Sequence, residues 1–222
     1  MEDLQSYSKE KNTKMIPTLE EICTAVNKHP KRVSGCYVFG SQVYGTADRH
    51  SDWDIILIAN SSSPEVEYNV GNLNVHVIVP DKFMEYVRVN HIKALECLYA
   101  PKWAQIKPFD CDFVFKEASF RHNISHTVSN SWVKCKKKLL QGDYRIGVKS
   151  IFHALRIADF GIQFAKTGKI EFDSMNKIWK EIESKEWNWL ELQDRFQPLR
   201  NELLTEFRKL ANKELNEHPS NF

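Results

Sequence analysis

The spacing of apolar and polar residues divides the chain near its middle. Before residue 118, short apolar runs lie between turn-forming residues, which is the pattern of strands. Residues 36–39 read as a first core strand and residues 53–59 as a second. The second is so continuously apolar that both sheet faces should be covered. Residues 66–70 and 73–79 flank Gly71-Asn72, a hairpin turn. In the latter arm Leu73, Val75, Val77 and Val79 share one face, and Asn74, His76 and Ile78 share the other. A helix opens at Thr18, whose spacing to Glu21 is that of a capping box, and Pro30 closes off that segment. Two further helices are expected over residues 81–89, capped by Asp81, and 91–98. Beyond residue 118 the period lengthens to that of helices, over 118–141, 147–166, 174–184, 187–196 and 198–210. The expectation is an α+β chain in two domains, 1–117 and 118–222.

Residues 1–16 read as a loose lead-in. With 42% hydrophobic and 12% aromatic residues the chain has ample material for a packed core. A net charge of +2 does not by itself demand a nucleic-acid partner. No apolar run approaches the length of a membrane span. The five cysteines are scattered, odd in number and contain no C-x-x-C, which points to reduced thiols. Residues 1–15 are polar and lack the apolar core of a signal peptide, so a cytoplasmic protein is expected. His122 and His126 stand four apart, but no paired cysteines accompany them as a zinc site would require. A P-loop motif is absent.

The candidate chemistry lies at the first two strands. Val38-Phe39-Gly40-Ser41 ends an apolar run in a tight turn, and ten residues later Asp52-Trp53-Asp54 opens the next. Alternation along a strand puts Asp52 and Asp54 on one face. Two carboxylates so placed suit Mg²⁺, which is held by one or two carboxylates plus substrate phosphates. The Gly40-Ser41 turn offers backbone N–H groups and a hydroxyl to a phosphate. In the helical half, Lys149, His153, Arg156 and Gln163 form one polar stripe on a helix whose other face is Ile151, Leu155, Ala158, Ile162 and Ala165. If the bundle packs over the sheet's open edge, Lys149 and Arg156 would clamp a triphosphate. Lys134, Lys136, Lys137 and Lys138 form a basic run suited either to solvent or to an RNA acceptor.

Gly40-Ser41 followed by Asp52-Trp53-Asp54 in this strand–turn–strand setting resembles the signature of the DNA polymerase β superfamily of nucleotidyltransferases. Residues 148–157, with Asp81-Lys82-Phe83 and Ala94-Leu95-Glu96-Cys97, are similar to a group of that superfamily with a C-terminal helical region, over roughly residues 33–210. The resemblance implies a mixed β-sheet with helices followed by a helical bundle. It implies transfer of a nucleoside monophosphate from a nucleoside triphosphate to a hydroxyl, with Mg²⁺ or Mn²⁺ on Asp52 and Asp54. Gly40, Ser41, Lys149, His153 and Arg156 would then bind nucleotide and phosphate. The superfamily usually places a third carboxylate on the neighbouring strand, where this chain has Asn74 or His76. An amide cannot act as a base, whereas His76 can, and Glu65, Glu67 or Asp81 are alternatives. The competing reading is a nucleotide-binding module without catalysis.

Overall fold

The computed structural model describes residues 15–210; the expected lead-in over residues 1–16 falls almost wholly outside them. Four strands, β1 (Val33–Phe39), β2 (Trp53–Ala59), β3 (Glu65–Val70) and β4 (Leu73–Ile78), form one mixed sheet in the order β1-β2-β4-β3. β2 runs antiparallel to β1 and parallel to β4, and β3 pairs antiparallel with β4. The apolar run of β2 is covered on both faces. Ile55 and Leu57 pack with Ile22 of helix α1 (Leu19–Ala25), while Ile56 and Ile58 pack with Phe83 of helix α3 (Pro80–Arg88).

Local signals set most boundaries. The Thr18 hydroxyl accepts from the Glu21 N–H at 3.2 Å and the Glu21 carboxylate accepts from the Thr18 N–H at 2.7 Å, the capping box read from the spacing. Gly40 turns the end of β1 into the short helix α2 (Ser41–Tyr44), which Gly45 terminates in the left-handed conformation. α3 starts one residue early, on Pro80, whose fixed φ suits a first turn. Asp81 therefore lies inside the helix rather than capping it. Helix α4 (Ile92–Leu98) is capped by the His91 ring.

The second half is built on α5 (Glu117–Leu140), α6 (Tyr144–Thr167), α7 (Asn176–Glu183) and α8 (Trp189–Leu210). α6 is the central helix, with Leu155 and Phe164 in a core shared with Phe120 of α5 and Phe196 and Phe207 of α8. Ile92 and Leu95 of α4 join the same core, so sheet half and helical half are packed together. Among the described residues no helix is long and apolar enough to cross a membrane.

One expected break is missing. α8 runs straight through Pro198, where two helices were expected. Pro198 and Asp194, the residue whose carbonyl loses its partner, are both exposed, so water can satisfy the freed oxygen. Burial of Leu192, Phe196, Leu204 and Phe207 on the inner face holds the helix together on either side. Pro198→Ala is therefore expected to stabilise the protein by about 1–3 kcal/mol. A urea titration checks this: the midpoint should rise with the slope unchanged.

Candidate active site

β2 brings Asp54 to the centre of the sheet end, opposite Phe39 of β1 on one side and Asn74 of β4 on the other. Gly40 closes over it with φ +74° and ψ −153°, a combination that essentially only glycine adopts. A side chain at Gly40 would place its Cβ 2.1 Å from the Asp54 Oδ2. The turn thus does two things: it reverses the backbone, and it lets the backbone pass against the carboxylate. The Ser41 backbone N–H hydrogen-bonds that carboxylate, and Asn74 Nδ2 donates to Asp54 Oδ1 at 3.3 Å. Burial pushes the Asp54 carboxyl above its ordinary value against the pull of Lys149 and Asn74, and the charge of Asp52 pushes the same way as burial. Asp52 itself is exposed and just precedes the strand.

A cavity of about 390 Å³ opens beside Asp54, between the sheet end and helices α5 and α6. Gly40, Ser41 and Asp54 line it from the sheet, and Lys149, His153 and Arg156 line it from α6. The structure therefore brings together six of the eight expected site residues. The α6 stripe passes from an exposed Lys149 to a buried Arg156. Arg156 is only 3% exposed: its Nη2 reaches Glu96 Oε1 at 2.6 Å and its guanidinium lies 3.6 Å from the centre of the Tyr44 ring. Tyr44 donates its hydroxyl to the same Glu96 oxygen at 3.0 Å. Gln163, at the far end of the stripe, leaves the site and bonds Asp159 and Ser174 instead.

The tautomer of His153 follows from this geometry. Its Nδ1 lies 3.1 Å from Arg156 Nη2, and a guanidinium can only donate. Nδ1 is therefore the bare nitrogen and the proton sits on Nε2. Burial, then Arg156 and Lys134, pushes the ring pKa down to about 3, so His153 is a neutral donor at physiological pH.

His76 does not reach the cavity. It lies two residues beyond Asn74 on β4, with Nε2 2.8 Å from Glu65 and Nδ1 3.3 Å from Lys93. Both ring nitrogens are occupied, and Tyr86 also bonds Glu65. Sequence alternation placed His76 on the Asp54 face, but not this partnership with the edge strand. The lysine run disperses as well. Lys134 lines the cavity, Lys136 lies over Trp189, and Lys138 pairs with Asp143 at 3.0 Å. Sequence reasoning missed Tyr44, Ser131, Ile146, Ser150 and Trp179, which also line the cavity. Ile146 and Ser150 continue the α6 stripe, and the expected helix start at Gly147 hid the former. Trp179 is both bundle core and cavity wall.

The donor set suits a divalent cation of the Mg²⁺ type. The charge of Asp52 adds to the cost of ionising Asp54, which a cation beside them would relieve, and Asn74 adds a third oxygen-bearing side chain. Among the described residues there is no cluster of three His, Cys, Asp or Glu. Two carboxylates completed by substrate phosphates are what such an ion requires.

Crystal structures matched by the chain include a nucleotidyltransferase-like protein from Exiguobacterium sibiricum, aligned over 87% of this chain and 73% of that one at 12% identity and a TM-score of 0.32. An aminoglycoside 6-adenyltransferase from Bacillus subtilis aligns over 88% of this chain and 89% of its own at 11% identity and a TM-score of 0.28. No curated protein matches the chain. The sheet, the Gly40-Ser41 turn and both aspartates fall within residues 19–139, more than half of the sequence, which match the nucleotidyltransferase domain family, and the chain belongs to that family.

Proposed function

We propose that this protein transfers a nucleoside monophosphate from a nucleoside triphosphate to an acceptor oxygen, with release of pyrophosphate and with Mg²⁺ or Mn²⁺ held by Asp52 and Asp54. One observation carries the reading: β2 and α6 deliver Asp54 and the Lys149–His153–Arg156 stripe to facing walls of one cavity. Asn74 and the Ser41 N–H fix the Asp54 carboxylate. Ser41 is also on the wall, and its hydroxyl would donate to a phosphate oxygen. Lys149, whose charge already acts on Asp54, sits where a triphosphate would meet the acids. His153 Nε2–H adds a neutral donor and the Arg156 guanidinium a positive charge, both fixed by packing. When bound, the cation neutralises charge developing on the phosphate oxygens.

The test combines binding and transfer. Calorimetry with a non-hydrolysable triphosphate should give an Mg²⁺-dependent signal. Transfer from α-labelled triphosphates to acceptors in cell fractions should fall roughly a thousandfold or more in Asp54→Asn. Transfer that persists in Asp52→Asn/Asp54→Asn protein would refute the reading. Asn74 favours a second reading, a nucleotide-binding module without turnover, which predicts binding with no transfer to any acceptor.

A further inference from the structure

The cavity is furnished with donors and short of bases. Among the described lining residues the one carboxylate is Asp54, and it is committed beside Asp52. The position of the superfamily's usual third carboxylate is an amide, Asn74. His153 presents Nε2–H, not a lone pair. Tyr44 spends its proton on Glu96, and that carboxylate is taken by Arg156. Glu183 is exposed and off the lining. Set against this are three cations on the walls, Lys134, Lys149 and Arg156. The Arg156 Nε–H is buried, with no hydrogen-bond partner among the described residues, and its guanidinium adds charge rather than a reachable Nε donor. Three cations around one carboxylate call for a ligand that brings acceptor oxygens and negative charge.

A hydroxyl nucleophile, with a pKa near that of water at about 16, needs a base or strong metal activation. A phosphate monoester needs neither, because its second pKa of about 6 leaves it a dianion at neutral pH. We propose that the acceptor is a small phosphate monoester, attacking through a phosphate oxygen and anchored by Lys134. This rests on the nucleotidyl-transfer reading and replaces the hydroxyl that the family pattern implies. A non-bridging oxygen of the monoester forms a bond to the α-phosphorus. The bond from the α-phosphorus to the oxygen bridging toward the β-phosphate breaks, and its electron pair leaves with pyrophosphate. The product carries a new phosphoanhydride link, and no proton has to be removed.

The experiment uses the full chain with Mg²⁺ and α-labelled triphosphates, and acceptors in matched pairs: glycerol 3-phosphate against glycerol, glucose 1-phosphate against glucose, with inorganic phosphate and an RNA bearing a free 3′-hydroxyl. Labelled product is expected from phosphorylated acceptors alone. A second arm titrates inorganic phosphate into metal-free protein, where Lys134→Ala should weaken binding about tenfold or more. Glu183→Gln should leave transfer unchanged. Transfer to glycerol, glucose or the RNA hydroxyl overturns the proposal. So does a large loss in Glu183→Gln, an unchanged phosphate affinity in Lys134→Ala, or failure of every phosphorylated acceptor while the triphosphate still binds. Loss of Mg²⁺-dependent triphosphate binding would instead sink the underlying reading.

Discussion

Gly40→Ala is expected to abolish most nucleotidyl transfer and to destabilise the fold. Two separate penalties meet at this residue. The backbone conformation, φ +74° with ψ −153°, costs a non-glycine residue about 1–3 kcal/mol. The added Cβ would also stand 2.1 Å from Asp54 Oδ2 and 2.8 Å from its Cγ. Neither neighbour is a loose end: Asp54 is held by Asn74 and the Ser41 N–H, and Gly40 joins β1 to α2. Something must move by about an ångström, and a displacement of that size at a reacting centre costs about a hundredfold in rate. Gly71→Ala is the matched control. Gly71 also has positive φ, at +61°, but a Cβ there meets nothing within 4 Å. It should lose about 1–2 kcal/mol from the backbone and leave transfer intact. Urea titrations and turnover of both variants separate strain from displacement. If Gly40→Ala protein turned over normally, Asp54 would not be at the reacting centre.

The parts legible in the sequence are those written in local chemistry. The apolar run of residues 55–59 declared a strand buried on both faces because no amphipathic element can be that uniform. Thr18 and Glu21 declared a helix start through their spacing alone. Asp54 stood out through position, since acids rarely open so apolar a run, and it lines the cavity; Asp52, read with it, is exposed and lies off the lining. What stayed hidden depends on contacts distant in sequence. Nothing near Tyr44 signals that its ring will lie under Arg156, 112 positions later, or that Glu96 will be the ion that justifies burying both. His76 looked available because alternation gives a face but not a neighbour; Glu65 and Lys93 come from other elements. Pro198 misled in the opposite direction. A local breaker was overruled by the inner-face burial of Leu192, Phe196 and Leu204, while its lost hydrogen bond faced water.

The buried Glu96–Arg156 pair separates folding from function. Glu96→Ala should be among the most damaging single substitutions in the chain, since it leaves a guanidinium 3% exposed with no counter-ion, at about 3–5 kcal/mol. The Tyr44 hydroxyl would lose its acceptor in the same step. Removing both charges together is a different matter. Burying an ion pair is close to break-even against apolar residues of similar volume. Glu96→Leu/Arg156→Met should therefore recover most of the lost stability, with the Tyr44 hydroxyl and His153 Nδ1 left without their present partners. It should not recover triphosphate binding if the Arg156 guanidinium on the cavity wall helps hold the phosphates. A loss of about 1.5–3 kcal/mol, the worth of a hydrogen bond to a charged group, is then expected in calorimetry. Urea titration alongside calorimetry makes the distinction. A double variant that unfolds as late as the parent and binds triphosphate as tightly would reduce Arg156 to a structural clasp between α2, α4 and α6.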